Sequence, residues 1–274
     1  MKLKIEAPHD HLDVPESTTR RLCEVLIPDP LKWVQLDEYP KLRLIVTPST
    51  GTNHIDLNEC ERRGIKVLSL LDDRFGLDMI TASSEFTFLL MLMALRHGAW
   101  RQWKRYERDD DMMRGHELHG KKVGLVGYGR IGKNVANYCT AFGAKWDYAD
   151  PQYRTGDNLL AIFEDSDIVV ICCSLNDETK GMITRKHLNA LRPGAILVNT
   201  ARAEIIREED LITWARQKKN VYATDVLHNE TMAYVSSPLL GLSNCIITPH
   251  IAGTTYESQQ KAMQIALRLA EREA

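Results

Sequence analysis

The sequence predicts an α/β fold, in which a doubly wound parallel (Rossmann) sheet is joined to a second, smaller flavodoxin-like α/β domain. Three observations support this prediction. Six short apolar runs alternate with amphipathic segments, a shorter alternation of the same kind precedes them, and a G-x-G-x-x-G sequence follows the first of the six runs. Parallel strands need crossover connections, and helices must cover both faces of such a sheet.

The smaller domain is predicted from the N-terminal part of the chain. Its strand candidates are residues 24–28, 42–47 and 66–70. A helix is expected at 57–63, between the last two strands.

Two further helices decide the expected domain boundaries. The strongly apolar helix at 81–96 is expected to be a buried connector, because it is too short to span a membrane. The amphipathic segment 254–274 is expected to return to the smaller domain. The smaller domain would then comprise residues 1–98 plus 253–274, and the larger domain residues 99–252.

The larger domain is predicted from a repeated change of hydrophobic period. Its strand candidates are 121–126, 144–149, 167–173, 195–199, 221–226 and 245–248. Its helix candidates are 131–142, 158–163, 186–191 and 208–217. The charged segment 100–111 is most simply a solvated or subunit-contacting helix.

Composition excludes several classes of protein. The chain has 35 basic and 37 acidic residues, so its overall charge would not attract nucleic acid or an anionic membrane. Six cysteines without C-x-x-C spacing indicate neither a zinc site nor disulfides, and we expect no metal. The N-terminus lacks an apolar signal core, and no apolar run reaches membrane-spanning length. A cytoplasmic location is expected.

The glycine-rich turn at 127–132 predicts a dinucleotide site. Gly127 allows the tight turn, Gly129 lets a pyrophosphate approach the backbone, and Gly132 lets the helix lie close to the strand. The helix N-terminus then offers free N–H groups to the phosphates. Asp150 ends the next strand, where a carboxylate can accept the ribose hydroxyls, which favours NAD over NADP. Arg154 would favour NADP, but an exposed arginine in this position is usually only solvated.

Three later strands end in groups that could perform chemistry on one rim of the sheet. Arg202 follows 195–199, Asp225 and Glu230 follow 221–226, and His250 follows 245–248. Hydride transfer to a 2-oxo acid needs a cation for the carboxylate and a proton donor for the carbonyl oxygen. Arg202 can supply the first. His250 can supply the second, because an imidazole changes protonation state near neutral pH.

The remaining two acids have supporting tasks in this hypothesis. Glu230 would orient His250 and favour its protonated form. Asp225 would meet the nicotinamide end of the cofactor. Each residue also has a purely structural interpretation: a surface ion pair for Arg202, a loop acid for Glu230, and a strand-ending turn for His250.

Several motifs identify a family that the chain resembles. They are GTNHIDL at 51–57, SSEFT at 83–87, ELHGKKVGLVGYGRIG at 117–132, LRPGAILVNTAR at 191–202, Asp225 with Glu230, and TPHIAG at 248–253. Together they are similar to the D-isomer-specific 2-hydroxyacid dehydrogenases. The GTNHIDL segment most resembles the D-3-phosphoglycerate dehydrogenase branch.

The resemblance implies a reversible NAD-linked oxidation of a D-2-hydroxy acid, with Arg202, Glu230 and His250 as the catalytic set. Formate-oxidising members carry glutamine at the position of Glu230, which argues against formate. The resemblance also implies a homodimer, for which Trp100, Trp103 and Tyr106 form a candidate surface. The expected cofactor-binding residues are Gly127, Tyr128, Gly129, Arg130, Ile131, Gly132, Asp150, Cys173, Ser174, Thr179, Thr200, Ala201, Asp225 and Gly253.

The substrate side is predicted less directly. By resemblance, the loop at Ser49, Thr50 and Gly51 would hold the substrate carboxylate. Residues 71–80 look longer than the corresponding loop of the family, and Arg74 within them is a candidate for a second anionic group on the substrate. A competing hypothesis is a dinucleotide-sensing protein of the corepressor type, since such proteins keep this fold and these residues. A catalytically weak remnant is a third.

Overall fold

The computed structural model describes residues 5–6, 22–30, 32–96, 114–150, 158–217, 219–230 and 237–273. The chain divides into two compact units. The first comprises Met1–Ile80 with Thr254–Ala274, and the second comprises Thr81–Gly253. The candidate helix at 100–111, with Trp100, Trp103 and Tyr106, lies outside the described residues, as does Arg154.

The second unit is built on a six-stranded, all-parallel sheet. All six predicted strands are confirmed: β5 (Lys122–Val126), β6 (Lys145–Ala149), β7 (Ile168–Ile171), β8 (Ile196–Asn199), β9 (Val221–Thr224) and β10 (Cys245–Ile247). Their spatial order is β10-β9-β8-β7-β5-β6. The direction of winding therefore reverses at β5 and β7, and the crevice beyond that switch point is where doubly wound sheets bind ligands.

Helices cover both faces of this sheet, as a doubly wound fold requires. On one face, Val123, Leu125, Ile168 and Val170 pack with α3 (Ala82–Leu95) and α4 (Arg130–Ala141). On the other face, Val126, Val169, Ile171 and Leu197 pack with α5 (Leu159–Asp165), α6 (Arg185–Ala190) and α7 (Glu208–Ala215). Alternate residues of β7 thus enter opposite cores, which explains its uninterrupted apolar sequence.

The first unit contains a four-stranded parallel sheet in the order β1-β2-β3-β4. Its strands are β1 (Ile5–Glu6), β2 (Val25–Leu26), β3 (Leu44–Val46) and β4 (Lys66–Leu68). Helix α1 (Leu57–Arg62) precedes β4, and Asp56 caps it by accepting a hydrogen bond from Glu59 N–H at 2.9 Å. The long C-terminal helix α8 (Tyr256–Glu273) packs against β3.

Residues 71–80 are not the loop that the sequence suggested. Leu70–Asp72 forms a 3-10 helix and Arg74–Asp78 forms the short helix α2, whose N-cap is Asp73. Leu77 and Ile80 are buried in the core of the first unit, whereas Phe75 and Met79 are exposed. The segment is therefore a folded part of the first unit.

The expected boundary at residue 99 differs from the observed division. Helix α3 packs against α4, β8 and β9, so it belongs with the second sheet. Gly253 also falls in the second unit.

One expectation about apolar length needs correction. By length and composition the stretch Arg74–Leu95 could cross a membrane, and half of it is buried inside the molecule. A core helix of a soluble protein passes the same test. Five of the eight buried residues of α3, from Phe88 to Leu95, belong to the apolar core that this helix shares with α4 and the strands of the second sheet.

Candidate active site

The glycine-rich turn follows β5 at the switch point and is shaped by close backbone contacts. Gly127 has φ +98°, and a Cβ there would lie 2.6 Å from Cys173 N. A Cβ at Gly132 would collide with the carbonyl oxygen of Gly127. Gly129 is the N-cap of α4, and a Cβ there would meet no atom within 4 Å. The turn is thus packed tightly at its two ends and open at Gly129, which is the shape needed for a pyrophosphate.

Asp150 and Tyr128 fix the position of this turn. The N–H of Tyr128 donates a hydrogen bond to Asp150 Oδ2 at 2.7 Å. The ring of Tyr128 stacks on Tyr148 at a centroid distance of 4.2 Å and on Trp146 at 5.4 Å. Trp146 and Tyr148 occupy alternate positions of β6, so they present their rings on one face of it. This aromatic support was not recognised from the sequence, although the alternation W-D-Y was its signal.

The end of β7 forms the other wall of the turn. Burial raises the pKa of the Cys173 thiol to about 12, and the nearby Asp150 carboxylate acts in the same direction. The thiol is therefore neutral and behaves as a small apolar group. Farther along, Thr179 Oγ1 donates to the carbonyl of Ser174 at 2.7 Å, which closes the loop after this strand. Arg130 and Ile131 begin α4 beside the turn.

These residues fit a dinucleotide. An open glycine at a helix N-terminus, a carboxylate at the end of the second strand and an apolar wall from β7 are the features that a bound NAD requires. The predicted residues from Gly127 to Gly132, Asp150, Cys173 and Ser174 all come from segments at the carboxyl ends of β5, β6 and β7.

His250 and Glu230 form a pair at the carboxyl end of β10. His250 Nδ1 lies 2.7 Å from Glu230 Oε2, and their side chains are 35% and 40% exposed. His250 has φ +55°, and Asn229, next to Glu230, has φ +52°. Left-handed backbone is costly for such residues and is typical of functional turns. The hydrogen bond that the sequence analysis expected between the side chains of Glu230 and His250 is present in the structure.

Asp225 holds the turn that carries His250. Its buried carboxylate accepts hydrogen bonds from Thr248 Oγ1 at 2.6 Å, Ile251 N–H at 2.9 Å and Ala252 N–H at 2.7 Å. Its main-chain oxygen accepts from His250 N–H at 3.0 Å. These bonds offset the strain of the left-handed turn. The contact that the sequence analysis expected between Asp225 and nicotinamide stays a prediction, while the structure gives Asp225 this positioning task.

Arg202 follows β8, the strand next to β9. Its side chain is half-buried, and Nη1 donates to the carbonyl of Ala201 at 2.7 Å. Thr200 Oγ1 lies 2.6 Å from Thr87 Oγ1 of α3 in a buried contact, which anchors the same turn from the helix side. Since β8, β9 and β10 are adjacent and parallel, their ends place Arg202, Asp225 and His250 on one rim.

A cavity of about 150 Å³ adjoins the histidine pair. The described residues that line it are Asp225, Leu227, Glu230, Leu240, Ile247, Thr248, Pro249 and His250. Among the described residues there is no cluster of three or more His, Cys, Asp or Glu side chains that could hold a metal ion.

The predicted substrate-side residues lie in the first unit, after β3. Ser49 Oγ donates to the carbonyl of Gly51 at 2.6 Å, and Thr47 Oγ1 contacts both Ser49 Oγ at 2.9 Å and His54 Nε2 at 3.2 Å. The loop at Ser49, Thr50 and Gly51 is thus held by its own side chains. Arg74 is exposed at the start of α2. Gly253 belongs to the second unit, where a Cβ would lie 3.7 Å from Ser83 Oγ, an ordinary contact.

The fold and this rim define a class: a dinucleotide-binding oxidoreductase. Comparison with known proteins makes the class narrower. The model of the D-isomer specific 2-hydroxyacid dehydrogenase NAD binding domain matches residues 87–252, and the model of the catalytic domain of the same enzymes matches residues 24–72.

Individual relatives agree with these matches. The chain is 31% identical over 245 residues to a glyoxylate/hydroxypyruvate reductase of Arabidopsis thaliana, covering 85% of this chain and 73% of that protein. It is 31% identical over 268 residues to a hydroxypyruvate reductase of Blautia hydrogenotrophica, covering 88% and 79%. The crystal structure of D-lactate dehydrogenase from Aquifex aeolicus with NAD and lactic acid superposes with a TM-score of 0.73 at 25% identity, covering 93% and 84%.

The chain belongs to the D-isomer-specific 2-hydroxyacid dehydrogenase family, and it is an NAD-dependent enzyme of that family. The resemblance inferred from the sequence motifs is confirmed. The suggested closeness to the phosphoglycerate dehydrogenase branch receives only weak support, because several curated relatives carry names of glyoxylate or hydroxypyruvate reductases.

Proposed function

We propose that this protein uses NADH to reduce a small, unphosphorylated 2-oxo acid of the glyoxylate and hydroxypyruvate class to its D-2-hydroxy acid. The observation that carries the proposal is the contact of 2.7 Å between His250 Nδ1 and Glu230 Oε2, on the rim that also carries Arg202. The names of the relatives support this substrate class over a phosphorylated one.

The proposed mechanism begins with the substrate carboxylate. Arg202 binds it through the paired donors of the guanidinium group, which match the two oxygens of a carboxylate. This contact orients the 2-oxo group and polarises the substrate. Binding of a substrate carboxylate by the loop at Ser49, Thr50 and Gly51 of the first unit stays a prediction from the family resemblance.

His250 is the proposed proton donor. Glu230 engages Nδ1, so Nε2 is the ring nitrogen left for the carbonyl oxygen of the substrate. NADH, when bound along the glycine turn, supplies the hydride to C2. The proton from His250 Nε2 reaches the carbonyl oxygen as the hydride arrives, so that the product is the neutral alcohol. In the reverse direction His250 accepts that proton.

Glu230 has two effects in this scheme. Its carboxylate fixes the orientation of the imidazole through one hydrogen bond, and its negative charge stabilises the protonated ring before transfer. The Asp225 bonds to Ile251 and Ala252 keep the turn of His250 in its left-handed conformation. Glu230 therefore holds the side chain of His250, and Asp225 holds its backbone, before the substrate binds.

The experiment is a substrate panel with purified protein. NADH consumption is followed with glyoxylate, hydroxypyruvate, pyruvate and 3-phosphohydroxypyruvate, each with NADH and with NADPH. We expect the highest kcat/KM for hydroxypyruvate or glyoxylate with NADH. A preference for the phosphorylated acid would instead support the phosphoglycerate-like alternative and a role for Arg74, and no consumption with any acid would contradict the proposal.

The quaternary state is a separate proposal. By family resemblance we propose a homodimer, and sedimentation of the purified chain with and without NADH tests it. A change of assembly on binding NADH without any turnover in the panel would favour the dinucleotide-sensing alternative.

A further inference from the structure

Asn199, the last residue of β8, has a fully buried side chain that bridges two main-chain groups of the next turn. Its Oδ1 accepts a hydrogen bond from Ala201 N–H at 3.0 Å, and its Nδ2 donates to the carbonyl of Arg202 at 3.0 Å. A carboxamide supplies an acceptor and a donor from one short side chain, which both groups of this turn need.

These two bonds fix the backbone on both sides of Arg202. The N–H of Ala201 belongs to the peptide group that joins Thr200 to Ala201, and the carbonyl of Arg202 belongs to the peptide group that joins Arg202 to Ala203. The peptide group between them is bound by the arginine itself, because Nη1 donates to the carbonyl of Ala201 at 2.7 Å. With the flanking peptide planes held, the direction of the Cα–Cβ bond of Arg202 is set.

Asn199 is itself anchored in the middle of the sheet. It pairs with Ile171 of β7 and with Thr224 of β9. Its main-chain oxygen accepts from Thr224 Oγ1 at 2.9 Å and from Asp225 N–H at 3.0 Å. The residue that holds the arginine turn is thereby bonded to the residue that holds the histidine turn.

We propose that Asn199 is a positioning residue, which aims the guanidinium of Arg202 at the substrate carboxylate without touching the substrate. The inference rests on the proposed function, in which Arg202 binds that carboxylate. It predicts that loss of the carboxamide weakens binding of the 2-oxo acid more than binding of the cofactor.

The test compares Asn199→Leu and Asn199→Asp with the unchanged enzyme. Leucine has a similar volume and makes neither bond, whereas aspartate keeps the acceptor for Ala201 N–H and loses the donor to Arg202. We expect Asn199→Leu to raise KM for hydroxypyruvate by about tenfold or more, with kcat reduced less than KM is raised. Asn199→Asp should raise KM as well, because its second oxygen faces the carbonyl of Arg202 where the donor stood. The Kd of NADH should change by less than about twofold, because the cofactor turn at Gly127 is untouched.

Asn244 provides a matched control at the opposite edge of the sheet, immediately before β10. It is also buried, and its Nδ2 donates to the carbonyls of Ala215 and Asn220, both at 2.9 Å. Asn244→Leu should lower the thermal midpoint with KM for hydroxypyruvate unchanged. If both leucine variants raise KM equally, the effect of Asn199 is only structural and the proposal is overturned.

Arg202→Gln is measured beside them, so that failure of this inference can be told from failure of the proposed function. An unchanged KM in Arg202→Gln contradicts the proposed function. A raised KM in Arg202→Gln with an unchanged KM in folded Asn199→Leu contradicts only the role of Asn199. Should Asn199→Leu fail to fold, Asn199→Asp and Asn199→Ser carry the same readout, and an unchanged KM in both contradicts the proposal.

Discussion

At the residue scale, the proposed chemistry depends on which nitrogen of His250 faces the substrate. Glu230 occupies Nδ1 at 2.7 Å, and the left-handed backbone of His250 is held by Asp225. We predict that His250→Ala lowers kcat by about 10²–10⁴-fold, the usual contribution of a positioned proton donor. The Kd of NADH should stay nearly constant, because the glycine turn lies at other strands. Stopped-flow turnover and fluorescence titration of NADH measure the two quantities.

His119 is the control for that substitution. It is an exposed histidine that precedes β5, so it lies at the amino edge of the sheet, opposite the rim. His119→Ala should keep full turnover. Equal loss of turnover and of NADH binding in His250→Ala would make His250 a structural residue.

Asp150 carries the second prediction at this scale. Its carboxylate accepts from Tyr128 N–H at 2.7 Å and is proposed to accept the adenosine ribose hydroxyls as well. Since a hydrogen bond to a charged group contributes about 1.5–3 kcal/mol, Asp150→Ala should raise the Kd of NADH by roughly tenfold or more. Discrimination against NADPH should fall at the same time, because the negative charge that repels a 2′-phosphate is gone.

Asp147 lies on the same strand and accepts from Tyr148 N–H at 2.9 Å, which makes Asp147→Ala the matched control. Titration of all three proteins with NADH and NADPH gives the comparison. An unchanged ratio of the two Kd values in Asp150→Ala would count against the role of this carboxylate in cofactor choice.

At the element scale, the glycine turn separates folding from cofactor binding. A Cβ at Gly129 meets no atom within 4 Å, whereas a Cβ at Gly132 collides with Gly127 O. We therefore predict that Gly129→Ala weakens NADH binding by about tenfold or more with almost no loss of thermal stability, because the methyl group projects into the pyrophosphate site. Gly132→Ala should lower both the affinity for NADH and the thermal stability, since α4 must move away from β5 to make room for the methyl group.

Thermal denaturation and NADH titration of the two variants test this contrast. The decisive protein is Gly129→Ala: if it binds NADH as tightly as the unchanged enzyme, the pyrophosphate does not lie at this turn.

The elements that the sequence predicted best are the strands of the second unit. Their β-branched runs enter cores on both faces, so burial and sequence pattern agree. The segment at 71–80 was missed because Phe75 and Met79 are exposed while Leu77 and Ile80 are buried, which leaves no regular apolar face. The domain of α3 was assigned wrongly for a related reason: a helix that is apolar on nearly all sides does not indicate which sheet it covers.

The candidate site was predictable where chemistry follows a strand directly. Arg202, Glu230 and His250 could be found because the carboxyl ends of neighbouring parallel strands share one rim. Two sets of hydrogen bonds could not be predicted: those of Asn199 to its turn, and those of Asp225 to Ile251 and Ala252. They join side chains to backbone groups, and such bonds produce no periodic pattern in the sequence. Such contacts become visible only when the turns are folded.

At the scale of the whole molecule, stability should depend on pH through His54 of the first unit. Burial lowers the pKa of His54, and the nearby Asp29 opposes this effect. The folded chain then binds this proton less readily than the unfolded chain. Stability is therefore fully present above the pKa of histidine in the unfolded chain, about 6.5, and falls as the pH drops through and below that value.

Urea denaturation between about pH 7.5 and pH 5.5 measures this dependence. The free energy of unfolding should fall less steeply in His54→Gln than in the unchanged protein. Asp73 and Glu273 act in a different range, because Arg268 and Lys66 lower the pKa values of these acids, so their contributions are lost only below about pH 4. If the free energy of unfolding falls equally steeply with decreasing pH in His54→Gln and in the unchanged protein, His54 does not cause this dependence.

The central claim is that the molecule joins an NADH site at the glycine turn to a proton donor and a carboxylate site on the same sheet. The most direct test is transfer of label from NADH deuterated at its transferable position, with hydroxypyruvate as substrate. We predict D-glycerate that carries deuterium at C2, formed by the unchanged enzyme and formed about 10²–10⁴-fold more slowly by His250→Ala. Unlabelled product, product of the L configuration, or undiminished transfer in His250→Ala would contradict it.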